Sequence, residues 1–193
     1  MQKEYTKLLS EILNKMANTD HIRPGDIPDI DLYMDQVTHF MDEHLEHSKR
    51  YEDDKILTKT MINNYTKNHL LPPPDKKKYS RDHILLMIFI YYFKNFLPIS
   101  DIKTILGPLT DKYFHKDADL NLEAIYTTLF SKEDTFVQEV LENVMKQFHM
   151  SADLFPDAPK ADQASLREFT FICMLSLDIY LKKQLIEAIL DKK

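Results

Sequence analysis

Glycine is almost absent from this chain. Two of the 193 residues are glycine, Gly25 and Gly107. Sheets and hairpins use glycine in tight turns and bulges, so this scarcity favours helices joined by short links. It also leaves no glycine-rich loop that could surround a phosphate, which argues against P-loop and dinucleotide-binding folds. The sequence therefore predicts an all-α, multi-helix protein.

Charge is unevenly placed along the chain. The formal net charge of the whole chain is −6. Residues 49–81 hold nine Lys or Arg against four Asp or Glu, a net of +5, which leaves −11 for the remainder. A basic island on an acidic protein indicates an anionic partner at that island. A chance cluster on a solvated surface is the alternative.

The cysteine content and the length of the apolar runs argue against a disulfide-bonded, zinc-binding or membrane-spanning protein. Cys173 is the single cysteine, so there is no intrachain disulfide and no cysteine-based zinc site. It lies in FTFICMLSL, where the pattern predicts a small buried residue. The longest apolar run, residues 84–93, is too short to cross a bilayer, and the N-terminus lacks a signal-peptide pattern. We expect a cytoplasmic protein with no membrane partner and no cofactor.

Helical spacing of apolar residues predicts the elements of the first half. A first helix is expected over residues 3–17 and a second from about Asp31, with Leu32 on its apolar face. Thr58 is expected to cap a short helix that runs to about Asn68. Its inward residues would be Met61, Ile62 and Tyr65.

The rest of the chain continues this helical pattern. Ser80 is expected to cap a central helix that is apolar almost all round, and Ser100 to cap another that Gly107-Pro108 ends. Three more helices are expected near residues 120–130, 133–149 and 162–190. The apolar face of the last helix is wider than the a and d positions of a heptad, which form the contact in a coiled coil. We therefore expect a buried helix rather than a free coiled coil.

Three adjoining motifs resemble the DNA-binding domain of the mercury-resistance-regulator (MerR) family. They are TMINNYTKNHLLPPP, DKKKYSRDHI and ISDIKTIL, which together cover roughly residues 57–107. The resemblance implies a winged helix-turn-helix element with a very small β wing. The whole chain, including IPDIDLYMDQVTHFM at 27–41, more specifically resembles a bacterial family catalogued as domain of unknown function 1836, which supplies no established activity.

A helix over residues 58–68 would carry polar side chains opposite its inward face. Asparagine can pair with an adenine edge in the major groove, and lysine can reach guanine or phosphate. The resemblance adds a basic wing at Lys76–Lys78 and a tyrosine that contacts phosphate. The predicted DNA-binding residues are Lys59, Thr60, Asn63, Asn64, Tyr65, Lys67, Lys76, Lys77, Lys78 and Arg81.

The chain departs from the MerR pattern at three places. Asn63 stands where relatives usually carry arginine, so one charge-assisted phosphate contact is absent. The wing is shorter and lacks glycine. The motif's first helix is not evident just upstream, so the helix over 31–47 would have to supply it.

Two other groups of residues could suggest chemistry. His39, Glu43 and His47 are spaced i, i+4, i+8, which could hold zinc, but any exposed helix rich in these residues gives such a stripe. We predict no metal site there. Paired acids near helix starts are explained by the helix dipole, and no nucleophile motif is present, so we do not expect an enzyme.

These observations predict a transcriptional regulator that binds double-stranded DNA. The expected division is residues 1–50 as N-terminal helices, 51–110 as the winged-helix segment, and 111–193 as an effector or dimerisation region. The resembling regulators dimerise through helices that follow the DNA-binding domain, which implies a homodimer here. The alternative is a helical protein–protein interaction module that does not bind DNA.

Overall fold

The computed structural model describes residues 7, 9–14 and 22–192. The chain forms two compact units, one of Asp20–Ser131 and the other of Met1–Thr19 with Lys132–Lys193. The second unit is therefore built from both ends of the chain. The division expected from the sequence concerned functional roles, and it stays a prediction.

The elements of the first unit are mostly helices. In chain order they are a 3-10 turn (Pro24–Asp26), β1 (Leu32–Tyr33), α1 (Met34–Leu45), a 3-10 turn (Glu46–Ser48), α2 (Lys59–Lys67), β2 (Lys78–Tyr79), α3 (Arg81–Phe93), α4 (Ile99–Tyr113) and α5 (Leu122–Phe130). The second unit contains helical residues 9–14, α6 (Glu133–Ala152) and α7 (Gln163–Leu190). The predicted all-α class with a very small β element is confirmed. The remainder of the first predicted helix lies outside the described residues.

Helix α3 forms the centre of the first unit. It is apolar almost all round, and the stretch from His83 to Tyr91 is buried. A helix without a polar face must be covered on every side, and α3 packs against α4, α5 and β2. The predicted central helix is therefore confirmed.

The two strands form an antiparallel pair at the edge of this core. Leu32 pairs with Tyr79, and Tyr33 pairs with Lys78. Leu32 and Tyr79 are buried, whereas Tyr33 is exposed, which is the alternation expected of a strand with one solvated face. The pairing corrects the prediction for α1: the helix begins at Met34 because Leu32 belongs to a strand.

Helix α4 is longer than the sequence predicts. Ile99 is its first residue and Pro98 its N-cap, so Ser100 lies inside the helix, and the helix continues to Tyr113. Pro108 removes one helical hydrogen bond. The helix nevertheless continues because Ile102 and Leu106 are buried before the proline, and the Thr110 hydroxyl donates to the Leu106 carbonyl at 2.9 Å.

Helices α6 and α7 run antiparallel in the second unit. Phe148 and Phe171 meet with ring centroids 5.3 Å apart, and Val144 and Leu175 extend the contact one turn further along both helices. Leu9 completes the buried cluster. The Arg167 guanidinium lies 3.9 Å from the centre of the Phe148 ring, which adds a cation–π contact.

The outer surface of α7 contradicts the prediction of a buried helix. Phe171 is buried, but Phe169, Ile172, Leu177 and Tyr180 are each more than half exposed. Cys173, which the sequence predicts to be buried, is exposed as well. The apolar pattern was correct, but within one chain α6 covers a single side of α7. In the described part of the chain, no helix has the combination of length and apolarity needed to cross a membrane.

A histidine joins the strand pair to the ends of α3 and α4. His83 is 2% exposed, and its Nδ1 accepts the Ser80 backbone N–H at 3.0 Å. The Ser80 hydroxyl lies 2.8 Å from His83 Nδ1 and 2.8 Å from His115 Nε2. The His115 backbone N–H donates to Asp82 Oδ2 at 2.6 Å. Because Nδ1 accepts a backbone hydrogen bond, His83 is neutral in this arrangement.

Burial lowers the pKa of His83, and electrostatic repulsion from the neighbouring His115 side chain lowers it further. The Pro73 carbonyl and the carboxylates of Asp82 and Asp31 oppose this only in part. The unfolded chain therefore binds a proton on this histidine at a higher pH than the folded chain does. Below the ordinary histidine pKa of about 6.5, protonation favours the unfolded state.

We expect the free energy of unfolding to be highest above about pH 6.5 and to fall as the pH is lowered toward the depressed pKa of His83. Urea unfolding across this range measures it. His83→Gln should be less stable at neutral pH and should show a shallower pH dependence. His39→Gln, at an exposed position on α1, should keep the wild-type dependence. Equal slopes for wild type and His83→Gln would contradict the assignment.

Candidate nucleic-acid interface

Helix α2 is short and is fixed at both ends. The Thr58 hydroxyl accepts the Met61 N–H at 3.2 Å, which confirms the predicted N-cap. Ile62 and Tyr65 are buried, and Met61 is half-buried. Beyond the last turn, Lys103 Nζ on α4 donates to the Asn68 carbonyl at 3.2 Å. The helix therefore has one face fixed against the core.

The opposite face of α2 carries the predicted polar side chains. Lys59, Thr60, Asn63, Asn64 and Lys67 are all exposed. Asn64 Oδ1 accepts from Asn68 Nδ2 at 2.9 Å, which orients the Asn64 amide. An amide held in this way retains its own N–H₂ as a donor for a base edge.

Tyr65 does not belong to this exposed face. Its side chain is 5% exposed, and burial raises the pKa of its phenol. Its ring packs under α2, so we remove Tyr65 from the predicted phosphate contacts. The periodicity that places it inward and the resemblance that places it at phosphate made opposite predictions, and the packing agrees with the periodicity.

Arg81 is also engaged within the protein. Its guanidinium donates to the Pro24 carbonyl, the Ile27 carbonyl and Asp29 Oδ1, each at 2.6 Å, and to Glu123 Oε1 at 2.9 Å. The side chain is 22% exposed. Because these bonds occupy both terminal nitrogens, we remove Arg81 from the predicted DNA contacts as well.

The wing is a tight turn between Asp75 and β2. The Lys78 N–H donates to the Asp75 carbonyl at 2.8 Å, and Lys76 and Lys77 occupy the two central positions. Both have left-handed backbones, with φ of 45° and 66°. Such a turn matches the twist of a hairpin, but its central positions usually carry Asn and Gly because other side chains are strained there. Lys76 and Lys77 are exposed at its tip.

Two residues near the start of α1 join this surface, and the sequence did not single them out. Lys78 Nζ lies 5.3 Å from the centre of the Tyr33 ring, across the strand pair. Asp35 forms an ion pair with Lys59 in the first turn of α2. A strand of two residues has too short a pattern to be recognised, so these contacts were not accessible from periodicity.

Comparison with known proteins identifies the family. A family model described as "Domain of unknown function (DUF1836)" matches residues 22–129. The chain belongs to this family. No curated protein and no solved structure matches it.

The DUF1836 match coincides closely with the compact unit Asp20–Ser131. The exposed face of α2, the wing and Asp35 all lie within it, whereas α6 and α7 lie outside. The family description assigns no activity to the DUF1836 domain.

The histidine stripe on α1 of the DUF1836 domain does not come together as a metal site. His39 Nε2 and Glu43 Oε2 are 3.9 Å apart on the exposed surface, while His47 lies in the following 3-10 turn. Among the residues that the structure describes, no three His, Cys, Asp or Glu side chains are grouped to hold a metal ion.

The backbone strain of the wing predicts a conflict between stability and binding. Replacing Lys76 by Asn and Lys77 by Gly supplies residues that tolerate a left-handed backbone, where strain costs of order 1–3 kcal/mol per residue. We expect this double variant to raise the free energy of unfolding by about 1 kcal/mol or more in urea titrations, and to weaken any anion binding at the wing.

The matched control replaces both Lys76 and Lys77 by Gln. It removes the same two charges but keeps side chains that are strained at these φ values. If the Gln variant gains as much stability as the Asn-Gly variant, charge repulsion rather than backbone strain is the cause.

Proposed function

We propose that the DUF1836 domain binds double-stranded DNA through α2 and the wing, and that the protein acts as a transcriptional regulator. The observation that carries this proposal is the exposure of four lysines together with two amides on α2: Lys59, Lys67, Lys76, Lys77, Asn63 and Asn64. The start of α1 connects the helix and the wing, since Asp35 pairs with Lys59 and Tyr33 contacts Lys78. Lysines on such a surface suit phosphates, and the amides suit base edges.

The dimensions of α2 support this role. An α-helix with its side chains is about 10–12 Å across, which fits a major groove about 12 Å wide, and the nine residues of α2 supply two and a half turns to lie in it. In the order β1, α1, α2, β2, the basic turn of the wing follows α2 in the sequence. In this proposal α1, which precedes α2 and packs against it, takes the role of the upstream helix of a helix-turn-helix.

The charge distribution supports an anionic partner as well. The net charge of +5 over residues 49–81 contrasts with −11 elsewhere. Opposite potentials steer the basic surface toward a polyanion and keep the remainder away from it. Two residues from the predicted set, Tyr65 and Arg81, are excluded from this proposal because their side chains are used in folding.

Phosphate contacts and base contacts should fail in different ways. Lys77→Ala should weaken binding to every duplex and reduce the slope of log affinity against log salt by roughly 0.9. Asn64→Ala should cost about 1–3 kcal/mol at a preferred site and leave generic binding nearly unchanged. Fluorescence anisotropy with generic duplex and with duplex selected from a random library measures both.

Lys146→Ala removes one exposed charge from α6, outside the proposed surface, and is the control for net charge. Its salt slope should equal that of the wild type. If wild-type protein binds no duplex at low salt, the DNA-binding proposal fails, and the protein–protein interaction module replaces it.

We further propose that α7 pairs with α7 of a second copy. Phe169, Ile172, Leu177, Ile179, Tyr180 and Leu181 lie on the outer half of the helix and are each more than half exposed. At on the order of 100 Å² of exposed surface per large side chain, these six supply about 600 Å² per copy and about 1,200 Å² in total. This total reaches the lower end of stable interfaces, about 1,200–2,000 Å².

Sedimentation velocity tests this pairing. Wild-type protein should be a dimer at micromolar concentration, and Leu177→Lys should shift it toward monomer because a charge cannot be buried there without a partner. Leu154→Lys, at an exposed leucine just after α6, is the matched control and should remain dimeric. A wild-type protein that is monomeric at all accessible concentrations would exclude the dimer.

A further inference from the structure

Asp35 places a carboxylate inside the lysine surface of α2. It is the second residue of α1, and its Oδ1 forms an ion pair with Lys59 Nζ at the start of α2. The Asp35 side chain is 76% exposed and that of Lys59 is 59% exposed. The pair is therefore solvated and can open without unfolding either helix.

The pair contributes little to stability. Ion pairs between exposed side chains gain little net free energy because water and salt screen them and two flexible side chains must be ordered. The position of Asp35 near the N-terminus of α1 is favourable by itself, since acids there complement the helix dipole. Folding alone thus explains an acid at residue 35, but it does not require that acid to hold Lys59.

The effect on a bound polyanion is larger. A phosphate that approaches Lys59 must displace the Asp35 carboxylate, which then lies unpaired beside the negatively charged backbone. Like charges at contact distance repel strongly when a binding partner reduces the surrounding water. An acid at this place therefore works against every phosphate contact that Lys59 makes.

We propose that Asp35 is an internal competitor for phosphate that limits the affinity of the DUF1836 domain for DNA of any sequence. This inference rests on the proposed DNA-binding function. Asp35 occupies Lys59 in the free protein and has to release it whenever Lys59 binds a phosphate. A lower affinity for DNA of any sequence shortens the time that a regulator spends on the many non-specific sites that compete with its own site.

The salt dependence gives the expected size of the effect. Asp35→Asn removes one opposing charge, so the slope of log affinity against log salt should steepen by roughly 0.9. Affinity for generic duplex should then rise about tenfold at about 50 mM salt and about threefold at about 200 mM. The ratio between a selected site and generic duplex should stay nearly constant, because the carboxylate opposes the same phosphate contact in both complexes.

Two comparisons separate this role from a general change in charge. Glu43→Gln neutralises an exposed acid further along α1 that lies beside His39 rather than beside a lysine, and should change affinity less than twofold. In a Lys59→Gln background, Asp35→Asn should lose most of its effect, because the lysine on which it acts is absent. The urea unfolding midpoint of Asp35→Asn should fall slightly, because the interaction of the acid with the helix dipole is lost, whereas its affinity for duplex should rise.

The outcomes distinguish this inference from the function on which it rests. Duplex binding by wild type with equal affinity for Asp35→Asn would overturn the inference and leave the DNA-binding proposal intact. An equal gain for Glu43→Gln, or a full gain in the Lys59→Gln background, would also overturn it. Absence of binding by both wild type and Asp35→Asn at low salt would overturn both proposals together.

Discussion

The guanidinium of Arg81 is the interaction that organises the DUF1836 domain. Its four hydrogen bonds join the segment before β1, at Pro24, Ile27 and Asp29, to Glu123 on α5. Arg81 is also the first residue of α3 and is separated from β2 by Ser80 alone. One side chain at the start of α3, next to the wing, therefore connects the segment before β1 to α5. Removing a partner of such a half-buried charge leaves its desolvation uncompensated.

Arg81 also shows why part of this architecture could not be predicted from the sequence. A basic residue after a lysine-rich turn suggests a ligand contact, whereas its actual partners lie 42 to 57 residues away in the chain. A long-range contact also determines the structure at Leu32. Periodicity assigns this residue to α1, but it pairs with Tyr79 in the two-stranded sheet. Local signals predicted an element correctly where its own residues determine it. The Thr58 N-cap of α2 and the apolar sequence of α3 are examples.

The last helix illustrates a different limit. Its apolar residues correctly indicate a helix that must be covered, yet one chain supplies a cover for a single side, around Phe171. The apolar pattern indicates that the surface of α7 should be buried, but it does not indicate whether the same chain or another molecule covers it. The exposure of residues such as Phe169 and Tyr180 in the folded chain distinguishes α7 from a core helix and is the basis for the proposed pairing with a second copy.

The lysine surface and α7 together suggest how weak single contacts could give a specific complex. Lys59 is engaged by Asp35, so the proposed surface of one DUF1836 domain offers phosphate Lys67, Lys76 and Lys77 but not Lys59 until that ion pair opens. In the proposed dimer, a second copy brings the same set again. Once the first domain is bound, the second binds at a high effective concentration, so overall affinity can exceed either single affinity by about 100-fold or more. A low affinity per domain then becomes an advantage, because an isolated generic contact dissociates quickly while two matched half-sites retain the dimer. In these proposals Asp35 lowers the affinity of each single domain for DNA, and the apolar face of α7 raises the affinity of the dimer. Both changes favour binding at two matched half-sites over an isolated generic contact.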